Sequence, residues 1–254
     1  MMIKLHNADC FEVMAGIESG SIDMILTDPP YYSTKLKFDQ APRIDFEMWL
    51  KECQRILKPN GVLVTFADFN LLADLRSKSP FKSTYELIWQ KTFAVGFLHA
   101  NVRPLRNHEF IGIFVDGLKK STYNPQKTKG EAYIKKTYLE TGTKLYSSNK
   151  SGSIDAINTG DRHPHSVIKS KRDKVNQHPT QKPLHLCEWL IKTYSNEGET
   201  VFDGFMGSGS SGVAALNNNR QFIGCELDLN YFEIAKKRIE SSKLDLMTLA
   251  REVS

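Results

Sequence analysis

The sequence predicts an α/β fold with a doubly wound, mostly parallel sheet and helices on both of its faces. An apolar run at residues 22–27 ends abruptly at two prolines, and a short strand pattern at residues 201–203 enters a glycine-rich turn and a helix. Helical and strand patterns alternate between these two segments, as parallel sheets require. A chain of 254 residues with 40% hydrophobic content can bury the core of one such domain.

The first informative element is the run at residues 22–27, which predicts a buried strand followed directly by Asp28-Pro29-Pro30-Tyr31. Strand pairing must end at Pro29 because proline has no N–H to donate. Open α/β sheets bind ligands at the carboxyl ends of their strands. A carboxylate, a rigid carbonyl and an aromatic ring at that edge form a pocket for a flat molecule with an exocyclic amino group. The alternative is an ordinary turn, which Asp and Pro also favour.

Further elements follow from hydrophobic spacing and from turn residues. Apolar positions from Phe46 to Leu57 recur at helical spacing, and Lys58-Pro59-Asn60-Gly61 predicts the end of that helix before a strand at residues 62–66. The remaining predicted elements are strands at residues 85–90 and 110–115 and helices at residues 184–194 and 229–239. Core packing is the expected role of Trp49, Trp89 and Trp189.

The glycine-rich segment predicts an adenosine site. Gly207, Gly209 and Gly212 form a Gly-x-Gly-x-x-Gly pattern between a strand and a helix, whose amino end presents free N–H groups. A second strand at residues 221–225 ends at Glu226, the usual place of an acid that binds ribose hydroxyls. The acid could instead cap the next helix. A nicotinamide-dependent oxidoreductase fits this local pattern nearly as well, but gives no reason for the Asp-Pro-Pro-Tyr motif.

Together the two motifs resemble the β-class S-adenosylmethionine-dependent DNA amino-methyltransferases, of N6-adenine and N4-cytosine type, whose motif order is permuted. His6-Asn7-Ala8-Asp9-Cys10 and His178-Pro179-Thr180-Gln181-Lys182-Pro183 match the same family. The resemblance covers nearly the whole chain except about residues 116–176. It implies a circularly permuted, Rossmann-like methyltransferase fold in a single domain, 1–254. Within it, 1–115 would be the catalytic half, 116–176 a target-recognition insert and 177–254 the cofactor-binding half. Gly204 departs from the family pattern, which usually has proline after the acid.

The resemblance also implies roles for individual residues. The catalytic set would be Asp28, Pro29, Pro30 and Tyr31, with Tyr31 or its neighbour Tyr32 stacking on the target base. The implied S-adenosylmethionine site consists of Asp9, Cys10, Asp28, Thr180, Lys182, Asp203, Phe205, Gly207, Gly209 and Glu226. Asp9 would contact the adenine amino group of the cofactor, and Glu226 its ribose. Thr180 and Lys182 would contact the methionine carboxylate, although Lys182 could equally be a surface residue between prolines.

Basic charge is concentrated at residues 116–176. This stretch has thirteen Lys and Arg against six Asp and Glu, a net charge of +7, whereas the whole chain carries +5 and the remainder therefore −2. Tyr123, Tyr133, Tyr138 and Tyr146 are interleaved with these cations, a pattern that favours nucleic-acid contact through phosphates and stacking. The alternative is a solvated lysine-rich loop.

We therefore expect a site-specific, adenine-specific DNA methyltransferase that acts on a base swung out of the duplex. Adenine is preferred because N4-cytosine members of the family more often carry Ser where this chain has Asp28. An N4-cytosine enzyme, an RNA adenine methyltransferase and a non-catalytic nucleic-acid-binding module are the alternatives. A protein substrate is disfavoured by the basic insert, and a cytosine-C5 enzyme by the lack of a Pro-Cys dipeptide.

The expected partners are double-stranded DNA, a second copy of the chain in a homodimer, and a cognate restriction endonuclease. The four cysteines form no Cys-x-x-Cys, which predicts reduced, buried thiols. A metal site at His163, His165 and His178 is not expected, because Pro164 separates two of the ligands and no Cys or carboxylate has matching spacing. The polar start and the absence of a long apolar run predict a cytoplasmic protein without a membrane span.

Overall fold

The computed structural model describes residues 2–32, 43–138, 153–173 and 181–252. The strands within these residues are β1 (Ile3–His6), β2 (Ile22–Thr27), β3 (Leu57–Ala67), β4 (Ser83–Val95), β5 (Arg106–Val115), β6 (Thr128–Lys129), β7 (Tyr133–Tyr138), β8 (Ser153–Asn158), β9 (Asp161–Arg162), β10 (Val167–Ser170), β11 (Thr200–Asp203) and β12 (Gln221–Cys225). The helices are α1 (Cys10–Ala15), α2 (Phe46–Ile56), α3 (Phe69–Lys78), α4 (Leu184–Tyr194), α5 (Ser210–Asn217) and α6 (Leu229–Glu252), with a 3-10 turn at Phe97–His99.

One mixed sheet of eight strands organises the larger part of the described chain, in the order β1-β12-β11-β2-β3-β5-β4-β10. The pairs from β1 to β3 are parallel, β5 is antiparallel to both β3 and β4, and β10 is parallel to β4. Within this sheet β5 alone therefore runs against the others. The predicted mostly parallel sheet is confirmed.

Helices cover both faces of this sheet. On β2, Met24 and Leu26 enter a core with residues of α4, α5 and α6, whereas Ile25 enters a second core with residues of α1, α2 and α3. Because both faces are covered, β2 is buried along its whole length. Trp49 and Trp89 are buried and Trp189 packs against the core, as predicted. The cysteines are also free and buried, as predicted.

The chain divides into two compact units. One consists of residues 1–124 and 166–254 and contains the eight-stranded sheet. The other is Pro125–His165, in which β6 pairs with β9 and β7 pairs with β8, each pair antiparallel. Inside this second unit, the Arg162 guanidinium lies 5.1 Å from the ring centre of Tyr133.

The predicted start of β3 needs a correction. Helix α2 ends at Ile56 as the turn residues indicate, but β3 already begins at Leu57. Leu57 pairs with Ile22 and Val62 with Met24, so four residues of β3 lie opposite the single residue Asp23. Such an irregularity in the pairing allows Pro59 and Gly61 to lie within a strand. Helix α6 also runs on to Glu252, because no Gly or Pro follows residue 239.

No helix in the part of the chain that the structure describes is both long enough and apolar enough to cross a membrane.

Candidate active site

Four neighbouring strands end at one edge of the sheet, and each is followed by a predicted motif. Strands β1, β12, β11 and β2 are adjacent and mutually parallel, so their carboxyl ends lie at the same edge. The segment 7–10 follows β1, Glu226 follows β12, the glycine-rich loop follows β11 and Asp28 follows β2. Parallel topology thus places motifs that are remote in sequence next to one another.

A hydrogen bond joins the two central motifs. Thr27, the last residue of β2, donates from Oγ1 to Oδ1 of Asp203, the last residue of β11, at 2.6 Å. Asp203 is 4% exposed, and its carboxylate also accepts from the Phe205 backbone N–H at 2.9 Å and from Ser211 Oγ at 2.5 Å. Asp203, which the resemblance places in the cofactor site, is thus bonded to its own loop and to the strand beside it.

The Asp28 carboxylate lies half-buried beyond the end of β2. Its Oδ1 accepts a hydrogen bond from the Tyr31 hydroxyl at 2.7 Å, and its Oδ2 lies 2.5 Å from Lys182 Nζ. The side chain is 25% exposed, while Pro29 is buried and Tyr31 is half-buried. The motif therefore combines a restrained carboxylate, a fixed backbone and an aromatic ring at one place.

Tyr31 and Tyr32 have different surroundings. Tyr32 has a left-handed backbone conformation with φ 54°. Its hydroxyl accepts from the Ile44 backbone N–H at 2.9 Å, and its ring meets Phe46 edge to face at 6.4 Å. Tyr31 is bonded to Asp28 itself. Of the two rings named as stacking candidates, Tyr31 is therefore the one that the structure couples to the carboxylate.

A buried charge cluster adjoins Asp28, and two of its members were not predicted from the sequence. Lys182 Nζ also lies 3.6 Å from Glu109 Oε2, and Glu109 Oε1 accepts from Lys91 Nζ. The side chains of Lys91, Glu109 and Lys182 are between 8% and 12% exposed. Lys91 and Glu109 lie just beyond the predicted strands at residues 85–90 and 110–115, and no motif contains them. The resemblance implied that Lys182 contacts a methionine carboxylate; here its ammonium group contacts Asp28 and Glu109.

The ionisation of this cluster follows from burial and charge. Burial raises the pKa of Asp28; Lys182 opposes that shift and Glu109 adds to it. Burial would likewise raise the pKa of Glu109, but Lys182 and Lys91 outweigh it and hold that pKa below its usual value. The pKa of Lys182 is raised, because its two carboxylate neighbours outweigh burial. Glu109 and Lys182 are therefore charged at neutral pH.

The glycine-rich loop has two positions that favour glycine. Gly207 and Gly209 have φ values of 51° and 80°, in the left-handed region that other residues rarely adopt. A β-carbon on Gly209 would also lie 3.0 Å from Ala235 of α6. A β-carbon on Gly207 would have no atom within 4 Å. The loop then enters α5, where the buried Ser210 hydroxyl has no hydrogen-bond partner among the described residues.

Glu226 is held beside this loop. Its Oε2 accepts from the Gly207 backbone N–H at 2.9 Å, and its Oε1 accepts from the Asp228 N–H at 2.9 Å. Asn7 Nδ2 donates to the Glu226 carbonyl oxygen at 2.8 Å and so ties the end of β1 to the end of β12. Burial raises the pKa of Glu226. The acid thus lies at the predicted place, and it also organises the glycine turn.

The other predicted cofactor residues surround the same edge. Asp9 caps α1 by accepting from the Phe11 N–H at 2.8 Å, and Cys10 is buried. A β-carbon at Gly204 would lie 3.4 Å from Cys10 Cβ, so the start of α1 abuts the glycine-rich loop. Phe205 is half-buried, with its ring 6.0 Å from that of Trp49. Thr180 lies outside the described residues.

Comparison with known proteins identifies the family. The family model described as DNA methylase matches residues 22–237, which is most of the chain. The type II methyltransferase M.HpaI of Haemophilus parainfluenzae is 29% identical over 94% of this chain and 74% of its own length. The DNA adenine methyltransferase YhdJ of Escherichia coli (strain K12) is 27% identical over 92% of this chain and 81% of its own.

A solved structure agrees. The crystal structure of the M1.HpyAVI–SAM complex is 26% identical and aligns with a TM-score of 0.60 over 93% of this chain and all of the other. Fold, site geometry and sequence therefore lead to one assignment: this chain belongs to the DNA methylase family.

Proposed function

We propose that this chain transfers the methyl group of S-adenosylmethionine to the exocyclic N6 amine of an adenine in duplex DNA. The observation that carries the proposal is the junction of the two motifs. Asp28 and the glycine-rich loop follow adjacent parallel strands, and the Thr27–Asp203 hydrogen bond of 2.6 Å joins them. Methylation of an amine requires a group that accepts a hydrogen bond from the amine, next to a loop that binds the adenosine part of the methyl donor. Asp28 and the glycine-rich loop would fill these two roles.

The residues at this edge fit S-adenosylmethionine. There is open space next to the α-carbon of Gly207, so a ligand can approach the loop closely. The buried Ser210 hydroxyl has no hydrogen-bond partner within the described chain, and a ligand could supply one. Glu226 would hold the ribose hydroxyls and Asp9 the adenine amino group, while Gly207 and Gly209 would face the methionine part. When bound, S-adenosylmethionine supplies an electrophilic methyl group on a sulfonium centre.

The protein's task in this reaction is to orient the amine. The adenine N6 lone pair is delocalised into the ring, which makes the nitrogen a poor nucleophile. In our proposal Asp28 Oδ2 and the Pro29 carbonyl oxygen accept its two N–H hydrogens and favour a pyramidal nitrogen, whose lone pair then points at the methyl group. Tyr31 stacks on the base. The rate enhancement comes from positioning and electrostatics, without a covalent enzyme intermediate.

Adenine is the proposed base for two reasons. Asp28 is the residue that the family resemblance associates with adenine, and YhdJ, which aligns over 92% of this chain, is named a DNA adenine methyltransferase. Because an amino group inside a duplex cannot reach a buried donor, the base must leave the stack before it reacts.

We assign target recognition to the basic stretch at residues 116–176. Its compact part, Pro125–His165, exposes Tyr133 at 49% and also exposes Lys135. Nucleic-acid binding uses cations that neutralise phosphates and aromatic rings that stack on bases. Lys135 and Tyr133 provide one of each. A homodimer, a cognate restriction endonuclease and a cytoplasmic location remain predictions from the resemblance and the composition.

The identity of the methylated nucleoside tests the proposal. The purified chain is incubated with S-adenosylmethionine and unmethylated duplex DNA, the DNA is digested, and the nucleosides are separated by mass spectrometry. We expect N6-methyldeoxyadenosine. N4-methyldeoxycytidine would change the base, and methylation of an RNA of the same sequence at an equal rate would overturn the choice of DNA.

A further inference from the structure

Four buried or half-buried charges form a row of alternating sign in the larger unit. Lys91 on β4 contacts Glu109 on β5, Glu109 lies 3.6 Å from Lys182, and Lys182 lies 2.5 Å from Asp28. The row contains two cations and two anions, so its formal charge is zero. Within the described residues, Glu109 Oε2 is buried without a hydrogen-bond partner, although the Lys182 ammonium is its neighbour.

Both carboxylate oxygens of Asp28 already have one partner each, the Tyr31 hydroxyl and Lys182. A carboxylate oxygen has two lone pairs, so an incoming amine can still donate to either oxygen. At Oδ2, however, the amine would share the oxygen with an ammonium cation, which weakens Oδ2 as an acceptor. The bond from the Tyr31 hydroxyl fixes the stacking ring and can stay in place. The contact whose opening strengthens Asp28 as an acceptor is therefore the one between Lys182 and Oδ2.

We propose that Lys182 exchanges carboxylate partners during the reaction cycle, leaving Asp28 Oδ2 for Glu109 Oε2 when the target amine arrives. This inference rests on the proposed function. The ammonium group has only to shorten a separation of 3.6 Å to a hydrogen bond, and its new acceptor has no competing donor among the described residues. Glu109 is thus a positioning residue that acts on Asp28 through Lys182.

The exchange has a chemical consequence. While Lys182 is bound, its positive charge offsets the Asp28 carboxylate. Once Lys182 pairs with Glu109, the Asp28 carboxylate becomes a stronger acceptor, and it faces an amine that gains positive charge as the methyl group is transferred. A carboxylate beside this developing positive charge stabilises it and lowers the barrier. The ionised state of Glu109 at neutral pH, maintained by Lys182 and Lys91, suits it to receive the ammonium group.

Four variants test the exchange. Glu109→Gln removes the negative charge of the second partner, so Lys182 should stay on Asp28. Glu109→Asp keeps an anionic acceptor on a shorter side chain. Glu86→Gln, at an exposed position of β4 that pairs with Arg76 and lies outside the row, is the control. The double variant, Lys91→Gln with Glu109→Gln, removes one cation and one anion, so the charge balance is kept while the anionic partner is removed. Thermal unfolding of each variant shows whether it is folded before its activity is compared.

The readouts are the single-turnover rate of methyl transfer to duplex DNA and the Kd for S-adenosylmethionine. We expect the rate to fall about 100-fold in Glu109→Gln and in the double variant, the size seen when one stabilising group is removed. We expect Glu86→Gln to stay within about threefold of the unchanged chain, every Kd for the donor to stay within about threefold, and Glu109→Asp to recover part of the rate.

Two results would overturn the exchange. One is a rate in Glu109→Gln equal to that of the unchanged chain. The other is a loss in Glu86→Gln equal to the losses in Glu109→Gln and the double variant, which would show general damage to the fold. If the unchanged chain transfers no methyl group to DNA, the proposed function fails instead. That outcome is separate, because it appears before any variant is compared.

Discussion

Thr27 and Asp203 are 176 positions apart in the sequence, yet the Thr27 hydroxyl donates to the Asp203 carboxylate at 2.6 Å. Each is the last residue of its strand, and the two strands are parallel neighbours. The bond therefore fixes the distance between the segment that would accept the amine and the loop that would hold the methyl donor. Several consequences of this geometry can be measured.

Thr27→Val should destabilise the fold and loosen the donor site. Valine has nearly the same shape but no hydroxyl, so a buried carboxylate oxygen loses one of its donors. We expect a loss of about 1–3 kcal/mol in the free energy of unfolding and weaker binding of S-adenosylmethionine. Urea unfolding and isothermal titration measure the two effects. Thr27→Ser retains the hydroxyl and serves as the control; an equal loss in both variants would mean that the methyl group, not the bond, matters.

The ionisation of Asp203 should make stability fall as pH rises. Burial raises its folded pKa to about 6, and hydrogen bonds from Ser211 and Thr27 moderate the shift. Because its unfolded pKa is near 3.8, the folded chain binds more protons between about pH 4 and pH 6, and stability decreases across that window. The full effect is about 3 kcal/mol. Below pH 4 and above pH 6 this residue adds no slope.

Asp203→Asn isolates this contribution, because asparagine does not titrate. The difference in unfolding free energy between the unchanged chain and the variant, measured by urea at pH 4, 5, 6 and 7, should shrink from pH 4 to pH 6 and then level off. A difference that stays constant over this range would show that Asp203 is not held with a raised pKa.

Much of the fold followed from local pattern, and the elements that did so share a physical reason. The strand β2 was recognisable because both of its faces are buried, so every position from Ile22 to Thr27 is under the same constraint. Helix α4 has the predicted limits Leu184 and Tyr194, since the proline before it and the polar residues after it mark its ends. The start of β3 was predicted wrongly, because Pro59 and Gly61 normally interrupt a strand and here lie within an irregular one.

The site was less accessible to sequence reasoning. Asp28, Glu226 and the glycine-rich loop lie in contiguous motifs, so their residues could be named individually. Glu109 and Lys91 belong to no motif, and only the pairing of β4 with β5 brings them together beside Lys182. Such a cluster arises from register between strands that one-dimensional patterns do not reveal.

Glu226→Gln should weaken donor binding without a comparable loss of rate at saturation. The carboxylate accepts from the Gly207 and Asp228 N–H groups, and an amide can accept at only one of its two polar atoms. We expect Kd for S-adenosylmethionine to rise at least tenfold, equivalent to about 1.4 kcal/mol. Glu240→Gln, at an exposed position of α6, should leave Kd unchanged. An unaltered Kd in Glu226→Gln would remove this residue from the donor site.

Lys135→Gln should reduce the salt dependence of DNA binding. Lys135 is exposed on β7, and removing one cation that neutralises a phosphate lowers the slope of log K against log salt by about 0.9. Fluorescence anisotropy of a labelled duplex at several salt concentrations gives the slope. Lys51→Gln removes an exposed lysine of α2 that is paired with Glu47, and its slope should match that of the unchanged chain. Equal slopes for all three proteins would argue against a role of Lys135 at a phosphate.

The central claim is that Asp28 acts on an amine at the same edge where the methyl donor binds. The most direct test is the rate of transfer from radiolabelled S-adenosylmethionine into unmethylated duplex DNA by Asp28→Ala, with donor binding measured in parallel. We predict a loss of about 10²–10³-fold in the rate at saturating donor, with the variant still folded. A variant that labels DNA as fast as the unchanged chain would contradict the account.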